Sequence, residues 1–456
     1  MNPIPSSGER PTHIRYLIVF FLFLVTSLNY ADRATLSMVG KDVQKQFGMD
    51  SVSMGFLLSA FSWAYVAAQI PGGWLLDRFG SKRVYGWSIG LWSLFTLLQG
   101  FVFGQEHVFT IPRVFWPSIV VSGAVLMFFV LRLMLGIAEA PAFPANSRIV
   151  ASWFPTAERG TASAIFNSAQ YAGTVIFLPL MGWIMKRFGW HEVFWFMGGL
   201  GLLFAAAWPK LIHGPKQHRW ANAAEVAHIE RGGGLVDMDR SGVASTTPTG
   251  GSPMLQLLRN RMLLGIYFGQ YCINVLTWFF LTWFPIILRE RGLSNLQVGF
   301  FAALPALCGL AGGILGGFSS DTLLKRGFSL TVARKTPIIF GLLLSTSLVG
   351  CNYVDTHWAF IIFMSLAFFG KGVGALGWAV LSDASPKQII GLSGGLFNTF
   401  GNIAGITTPI VIGYIRQGTG SFDGALIYVS AHALLAIISF VFVVGTIKRV
   451  ELRPAL

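Results

Sequence analysis

From Tyr16 the chain reads YLIVFFLFLVTSL without a charge, and long apolar runs of this kind then recur along its whole length. Each is close to the roughly 20 residues that a helix needs to cross a hydrocarbon core about 30 Å thick. Twelve spans are predicted, at about 16–39, 53–75, 84–104, 117–140, 160–186, 191–211, 262–288, 297–320, 335–354, 358–381, 390–415 and 423–446. Between the sixth and seventh lies a polar stretch, 212–261. It opens with KQHRWANAAEVAHIERGGG, read as a short cytoplasmic helix ended by Gly232–Gly234. It continues as RSGVASTTPTGGSP, a flexible linker by composition. The expected fold class is therefore an all-α membrane protein. Residues 1–211 form an N-terminal six-helix bundle, 212–261 a cytoplasmic linker with a short helix, and 262–456 a C-terminal six-helix bundle.

Composition agrees with this pattern. The chain is 54% hydrophobic and only 11% charged, with mean hydropathy +0.62, whereas soluble domains are about a quarter charged. The net charge of +14 sits in loops beside apolar segments, as the positive-inside bias requires, and does not point to nucleic acid. The loops after spans 2 and 8 carry Arg78, Lys82 and Arg83, and Lys325, Arg326, Arg334 and Lys335. With the basic central loop and the C-terminal KRVELR, they predict cytoplasmic termini. The first apolar run is not read as a cleaved signal, because charges and further spans follow it. Cys272, Cys308 and Cys351 are odd in number and lie in apolar segments, so no disulfide or metal framework is expected.

A half-chain repeat refines the plan. GGWLLDRFGSKR (72–83) follows span 2, and GGFSSDTLLKRG (316–327) follows span 8. Each places an aspartate, Asp77 or Asp321, five residues after the first glycine and a basic cluster just beyond. Glycine lets helix ends approach closely, and an aspartate among arginines can form a breakable pair. A plain topology-setting basic loop is the alternative for either copy alone. This motif, including Gly73, Asp77, Arg78 and Gly80 on a 6+6 plan, resembles the major facilitator superfamily. NYADRATLS, QIPGGWLLDRFGSK, EAPAFPANSRIVASWFP, ERGTASAIFNSAQY and FFGKGVGALGW are similar to bacterial anion:cation symporters for sugar acids, with glucarate/galactarate (hexarate) transporters the nearest likeness. The resemblance implies two bundles rocking about a central site, with a proton moving alongside an acidic sugar.

Ionisable groups at membrane depth cost at least about 2.5–3.5 kcal/mol each on insertion scales. Asp32, Arg33, Arg132, Glu139, Lys371 and Asp383 are such groups. Asp32 and Arg33 lie about seventeen residues into span 1, or roughly 25 Å at 1.5 Å per residue. They point about 100° apart and cannot neutralise each other face to face. Arg132 and Glu139, at i and i+7, share one stripe of span 4. An imported sugar acid needs fixed cations, and arginine grips a carboxylate with two parallel hydrogen bonds. A proton-coupled carrier also needs a carboxyl whose proton affinity changes through its cycle. Asp32 and Glu139 have this setting. The alternative is a set of interhelical salt bridges that only hold the bundle. In the sugar-acid symporters the acids matching Asp32 and Glu139 carry protons, and the arginines matching Arg33 and Arg132 handle substrate. Lys371, in FFGKGVGALGW, is near the middle of span 10, where its glycines are expected to leave room around the helix. It is expected to read the second carboxylate of a diacid, the alternative being pairing with Asp383 or a backbone carbonyl. Monoacid carriers in the resembled family tend to have an uncharged residue there. Asp383 reads as a solvated charge at a helix end.

A polyhydroxylated substrate needs neutral hydrogen-bond partners and flat apolar faces. Tyr30, Tyr65, Gln170, Trp378 and Asn398 match lining positions of the sugar-acid symporters. Gln270 and Asn274 are added by periodicity, and packing is the alternative for each. No H-E-x-x-H pattern, P-loop or nucleophile elbow is present, so an enzyme is not expected. Neither is a cofactor or a metal, beyond the proton as coupling ion. The function expected is proton-coupled import of hexaric acid dianions by a monomer in the bacterial inner membrane. A symporter for another organic anion, such as galactonate, and a non-transporting receptor on the same fold are the alternatives.

Overall fold

A computed structural model describes residues 10–103, 108–111, 119–155, 158–237, 253–386 and 389–451. Most of the predicted linker RSGVASTTPTGGSP lies outside the described residues. Helices account for nearly all of the rest. α1 (Ile14–Phe47), α2 (Ser51–Phe79) and α3 (Ser81–Gln99) are followed by α4 (Gly123–Glu139), α5 (Ala142–Trp153), α6 (Arg159–Arg187) and α7 (His191–Leu211). The polar stretch contains α8 (Ala223–Arg231), as its sequence predicted. Asn222 caps it by accepting from Glu225 N at 3.0 Å, and Gly232 ends it. α9 (Pro253–Arg259) leads into α10 (Arg261–Thr282), α11 (Phe284–Glu290), α12 (Asn295–Lys325) and α13 (Leu330–Ser345). α14 (His357–Val373), α15 (Gly377–Ala384), α16 (Ile390–Thr419) and α17 (Asp423–Ile438) complete the chain. Ten described helical segments are long and apolar enough to cross a membrane. α3 and α16 stand where the third and eleventh expected spans fall.

Several boundaries differ from the periodicity. Span 4 was expected from 117, yet α4 begins at Gly123, where Ser122 Oγ accepts from Val125 N at 3.3 Å. The β-branched run before it instead pairs as β2 (Ile119–Ser122) against β1 (Val108–Ile111), antiparallel, with Phe109 opposite Val121. This short ladder is an addition to the all-helical expectation. An apolar run alone does not separate strand from helix. Span 3 ends at Gln99 rather than 104, capped by Gly100.

Three expected spans are broken helices. Span 7 breaks at Trp283, where Pro285 enters the first turn of α11. Span 9 finishes as a 3₁₀ segment, Thr346–Tyr353. Span 10 breaks between α14 and α15, over residues 374–376. A broken helix at membrane depth is tolerated where protein or a cavity surrounds it.

Contacts group the chain into two compact units whose membership does not follow chain order. One comprises Met1–Thr35, Ala64–Phe177 and Arg187–Ser245. The other comprises Leu36–Trp63, Leu178–Lys186 and Thr246–Leu456. In the second unit, the C-terminal half of α1 and the N-terminal half of α2 pack on α11 and α16. Arg289 Nη2 donates to Asp42 Oδ1 at 3.2 Å, and Gln417 Oε1 accepts from Ser51 N at 3.2 Å.

Candidate functional site

In the first unit, α1 and α4 bring four charged side chains together. Arg33 Nε donates to Glu139 Oε2 at 2.9 Å, and both side chains are buried. Arg132 Nη2 donates to the Arg33 carbonyl at 3.4 Å. The shared stripe of Arg132 and Glu139 therefore faces α1 at Arg33. Asp32, 1% exposed, points elsewhere, as the 100° offset requires, and neither of its oxygens has a hydrogen-bond partner among the described residues. It remains within electrostatic reach of Glu139 and Arg132. Two acids and two arginines thus share one buried region, with one acid paired and the other not.

Aromatic rings flank the central cation. The Arg33 guanidinium lies 4.8 Å from the ring centroids of both Tyr30 and Tyr65, where the ring faces attract a cation. Tyr65 is buried and Tyr30 half-buried. Gln170, half-buried on α6, donates to the Asn167 carbonyl at 3.1 Å.

The first gating motif uses a partner the sequence reading missed. Asp77 pairs with Arg148 of α5, whose Nε also donates to Ser81 Oγ at 3.2 Å. Arg78 instead stacks over Trp74 and Phe79 at 5.2 and 5.5 Å. Arg148 stood in the quoted EAPAFPANSRIVASWFP, a lone cation among apolar and small residues, and that was the available signal. Gly80 adopts φ +80° between α2 and α3, a conformation that favours glycine. A Cβ at Gly73 would meet nothing within 4 Å, so the close approach expected of this motif belongs to Gly72, which lies against Pro141.

In the second unit, the counterpart Asp321 lies 3.5 Å from Arg334 Nη1, and Arg334 Nε donates to Asp383 at 2.9 Å. Asp383 is thus ion-paired and only partly exposed, not a free solvated end charge, because α13 presents Arg334 to it. Lys371 occupies the last turn of α14 just before the helix break, where the carbonyl end of the helix dipole favours a cation. It is 4% exposed, with Nζ 5.0 Å from the Phe368 ring centroid. Its neighbouring glycines do not open space around it. A Cβ at Gly370 would come 2.3 Å from the Gly341 carbonyl, and one at Gly372 would come 2.2 Å from that of Gly309. They seat α14 directly against the backbones of α13 and α12.

Amides gather on α10 and α16. Gln270 donates to Asn274 at 3.3 Å, and Asn402 donates to Asn398 Oδ1 at 3.1 Å. Trp378 is half exposed and meets Phe397 edge-on at 4.7 Å.

A further cluster was not foreseen. Glu225 of α8 is fully buried and accepts from Ile14 N at 2.9 Å and Arg15 N at 3.1 Å, so it satisfies the first amides of α1. Arg15 Nε donates to Glu158 at 3.0 Å, and His228 Nε2 lies 3.2 Å from the same carboxylate. Burial pushes the Glu158 carboxyl up, but its bonds to His228 and Arg15 outweigh this and hold it below the ordinary glutamate range.

The family profile described as Major Facilitator Superfamily matches residues 22–409. The chain is 57% identical to the probable galactarate/D-glucarate transporter GudP of Escherichia coli K12, over 100% of this chain and 98% of that protein. It is 40% identical to the D-galactonate transporter of E. coli O6:H1 strain CFT073, over 98% and 99% of the two chains. The crystal structure of a D-xylose–proton symporter has the same fold, with TM-score 0.72 over 95% of this chain and 98% of that one, at 16% identity.

Proposed function

The chain belongs to the major facilitator superfamily, and on that premise we propose that it is a proton-coupled symporter importing the hexaric acid dianions galactarate and D-glucarate by alternating access. The observation that carries the reading is the buried Arg33–Glu139 pair beside the unpartnered Asp32, with Arg132 donating to the Arg33 backbone carbonyl. With both acids ionised, these four groups sum to zero charge and have no attraction for an anion. Each proton loaded onto Asp32 or Glu139 uncovers one guanidinium charge. Proton binding therefore prepares the region for a carboxylate, and deprotonation restores the internal pair and expels it. Arginine remains charged throughout and supplies the bidentate geometry a carboxylate needs.

Lys371 is assigned to the second carboxylate, and the neutral groups of Tyr30, Tyr65, Gln170, Asn398 and Trp378 to the hydroxylated backbone of the sugar. The two Asp-centred clusters, Asp77–Arg148 and Asp321–Arg334–Asp383, open and reform as the bundles 1–211 and 262–456 rock. The protein acts as a monomer in the bacterial plasma membrane with both termini cytoplasmic. The name of the GudP relative supports the substrate class. The name of the 40% identical relative supports a second reading, D-galactonate, which the charge at Lys371 disfavours because a monoacid has no second carboxylate to pair with it.

The test is uptake into proteoliposomes under an inward proton gradient, with galactarate, D-glucarate and D-galactonate compared. Gradient-dependent accumulation of both diacids, with galactonate poor, is expected. Best accumulation of galactonate would overturn the role of Lys371 and leave symport standing. Accumulation without a proton requirement would overturn the coupling.

A further inference from the structure

Behind the Arg33–Glu139 pair the first unit holds polar side chains that the substrate has no need of. Thr26 and Asn29 fall at i and i+3 on the same face of α1 as Arg33. Ser81, Tyr85 and Ser88 fall at i, i+4 and i+7 on α3, and Asn146 projects from α5. All six are buried, Asn146 and Tyr85 completely. Asn146 Nδ2 donates to Thr26 Oγ1 at 2.9 Å, and Ser88 donates to the carbonyl of Ala138, the residue before Glu139.

The rest of this polar capacity is unmet. Both side-chain polar atoms of Asn29, Asn146 Oδ1, the Tyr85 hydroxyl and Glu139 Oε1 have no hydrogen-bond partner among the described residues. Yet they face one another. Asn29 lies beside the Glu139 carboxyl, and the Tyr85 hydroxyl beside Thr26 and Asn146. Leaving a buried polar atom unpaired forfeits its hydration with nothing in return, so isolated orphans are rare. Five such atoms in one connected patch have the donor and acceptor density that holds internal water, which takes two to four polar partners.

We infer that Asn29, Thr26, Asn146 and Tyr85 hold a short file of water that carries the Glu139 proton to the end of the bundle bearing Asp77. This rests on the symport reading and adds a route to it. The proton leaves the Glu139 carboxyl for the water beside Asn29, and the carboxylate that remains is held by Arg33 Nε. The file passes the Tyr85 hydroxyl, which orients it without ionising. It ends one helical turn further along α3 at Ser81, where Arg148 and the exposed Asp77 meet solvent. Tyr85 and Asn146 are positioning residues, since neither touches the substrate.

The test uses the full-length protein in liposomes with a trapped pH dye. Galactarate exchange at equal pH on both sides, which needs no net proton transfer, is measured beside galactarate-driven proton entry. Tyr85→Phe and Asn146→Leu are expected to slow proton entry and driven uptake by about tenfold, the scale of one lost hydrogen bond, while exchange keeps its wild-type rate. Asn146→Ser, which retains a hydroxyl, is expected to recover most of the loss. If exchange and proton entry fall together, the residues only pack the bundle and the route is overturned. If neither changes in Tyr85→Phe, the route is equally overturned. Absence of galactarate-driven proton entry in the wild type would instead overturn symport itself, and this route with it.

Discussion

Arg33 on α1 donates to Glu139 on α4 at 2.9 Å, while Asp32, one residue earlier, donates to and accepts from nothing among the described residues. Two neighbours in sequence thus have opposite electrostatic fates. A helical step of about 100° turns one towards α4 and the other away. The two buried acids are therefore not equivalent, and substitutions at each have separable consequences.

Glu139→Ala removes the partner of a buried guanidinium and is expected to destabilise the protein by about 3–5 kcal/mol. Glu139→Gln keeps an oxygen for Arg33 Nε and is expected to cost much less. Asp32→Asn removes a charge that has no hydrogen bond to lose, so it is expected to leave the melting temperature unchanged or raise it. All three are expected to abolish driven uptake, and Asp32→Asn and Glu139→Gln to retain exchange. Thermal unfolding in detergent, read beside liposome uptake, checks both halves. A Glu139→Ala protein as stable as wild type would contradict the pairing.

Lys371 sits at the end of α14 and is 4% exposed. If it grips a carboxylate, Lys371→Asn removes a charge-assisted contact worth about 1.5–3 kcal/mol, or roughly tenfold to a hundredfold in affinity. The loss is expected for galactarate and D-glucarate but not for galactonate. Equal losses for diacid and monoacid, measured by binding to the purified protein, would remove its role in specificity.

In the second unit a Cβ added at Gly55 would stand 2.5 Å from the Pro409 carbonyl. Backbone cannot yield there as a side-chain tip would, and overpacking of this kind costs about 1–3 kcal/mol. Gly55→Leu is therefore expected to separate α2 from α16. Substrate binding should survive, transport should fall, and a thiol placed by Gln417→Cys should react faster with an impermeant label. Unchanged labelling would show that the helices do not need this contact.

Glu158 gives a pH prediction outside the spans. Its folded-state carboxyl titrates below the ordinary range. Its contribution to stability is therefore present above the ordinary glutamate value and lost as pH falls through the lowered one. Glu158→Gln is expected to melt below wild type at pH 7, with the gap closing under strongly acidic conditions. A gap that persists at low pH would assign the effect to packing against Arg15 and His228.

The sequence by itself determined the class of protein, the approximate spans, the short helix in the central stretch and the residues that carry charge at membrane depth. These follow from local quantities: run length, composition, capping residues and the cost of burying a charge. It also located Asp77 and Asp321, because the half-chain repeat is a matter of spacing. Tertiary structure alone decided who meets whom. Arg33 rather than Asp32 faces α4, and Arg148 and Arg334 rather than adjacent basic residues hold the motif aspartates. Asp383 goes to Arg334 instead of Lys371, and the glycines beside Lys371 seat neighbouring helices rather than opening space. The breaks at Trp283 and after Val373 are likewise absent from the apolar pattern, which reads the same whether a span is one helix or two. A sequence fixes the face on which a side chain lies within its own helix. Its partner depends on the rotation and depth of a different helix, and these are set only when both are packed.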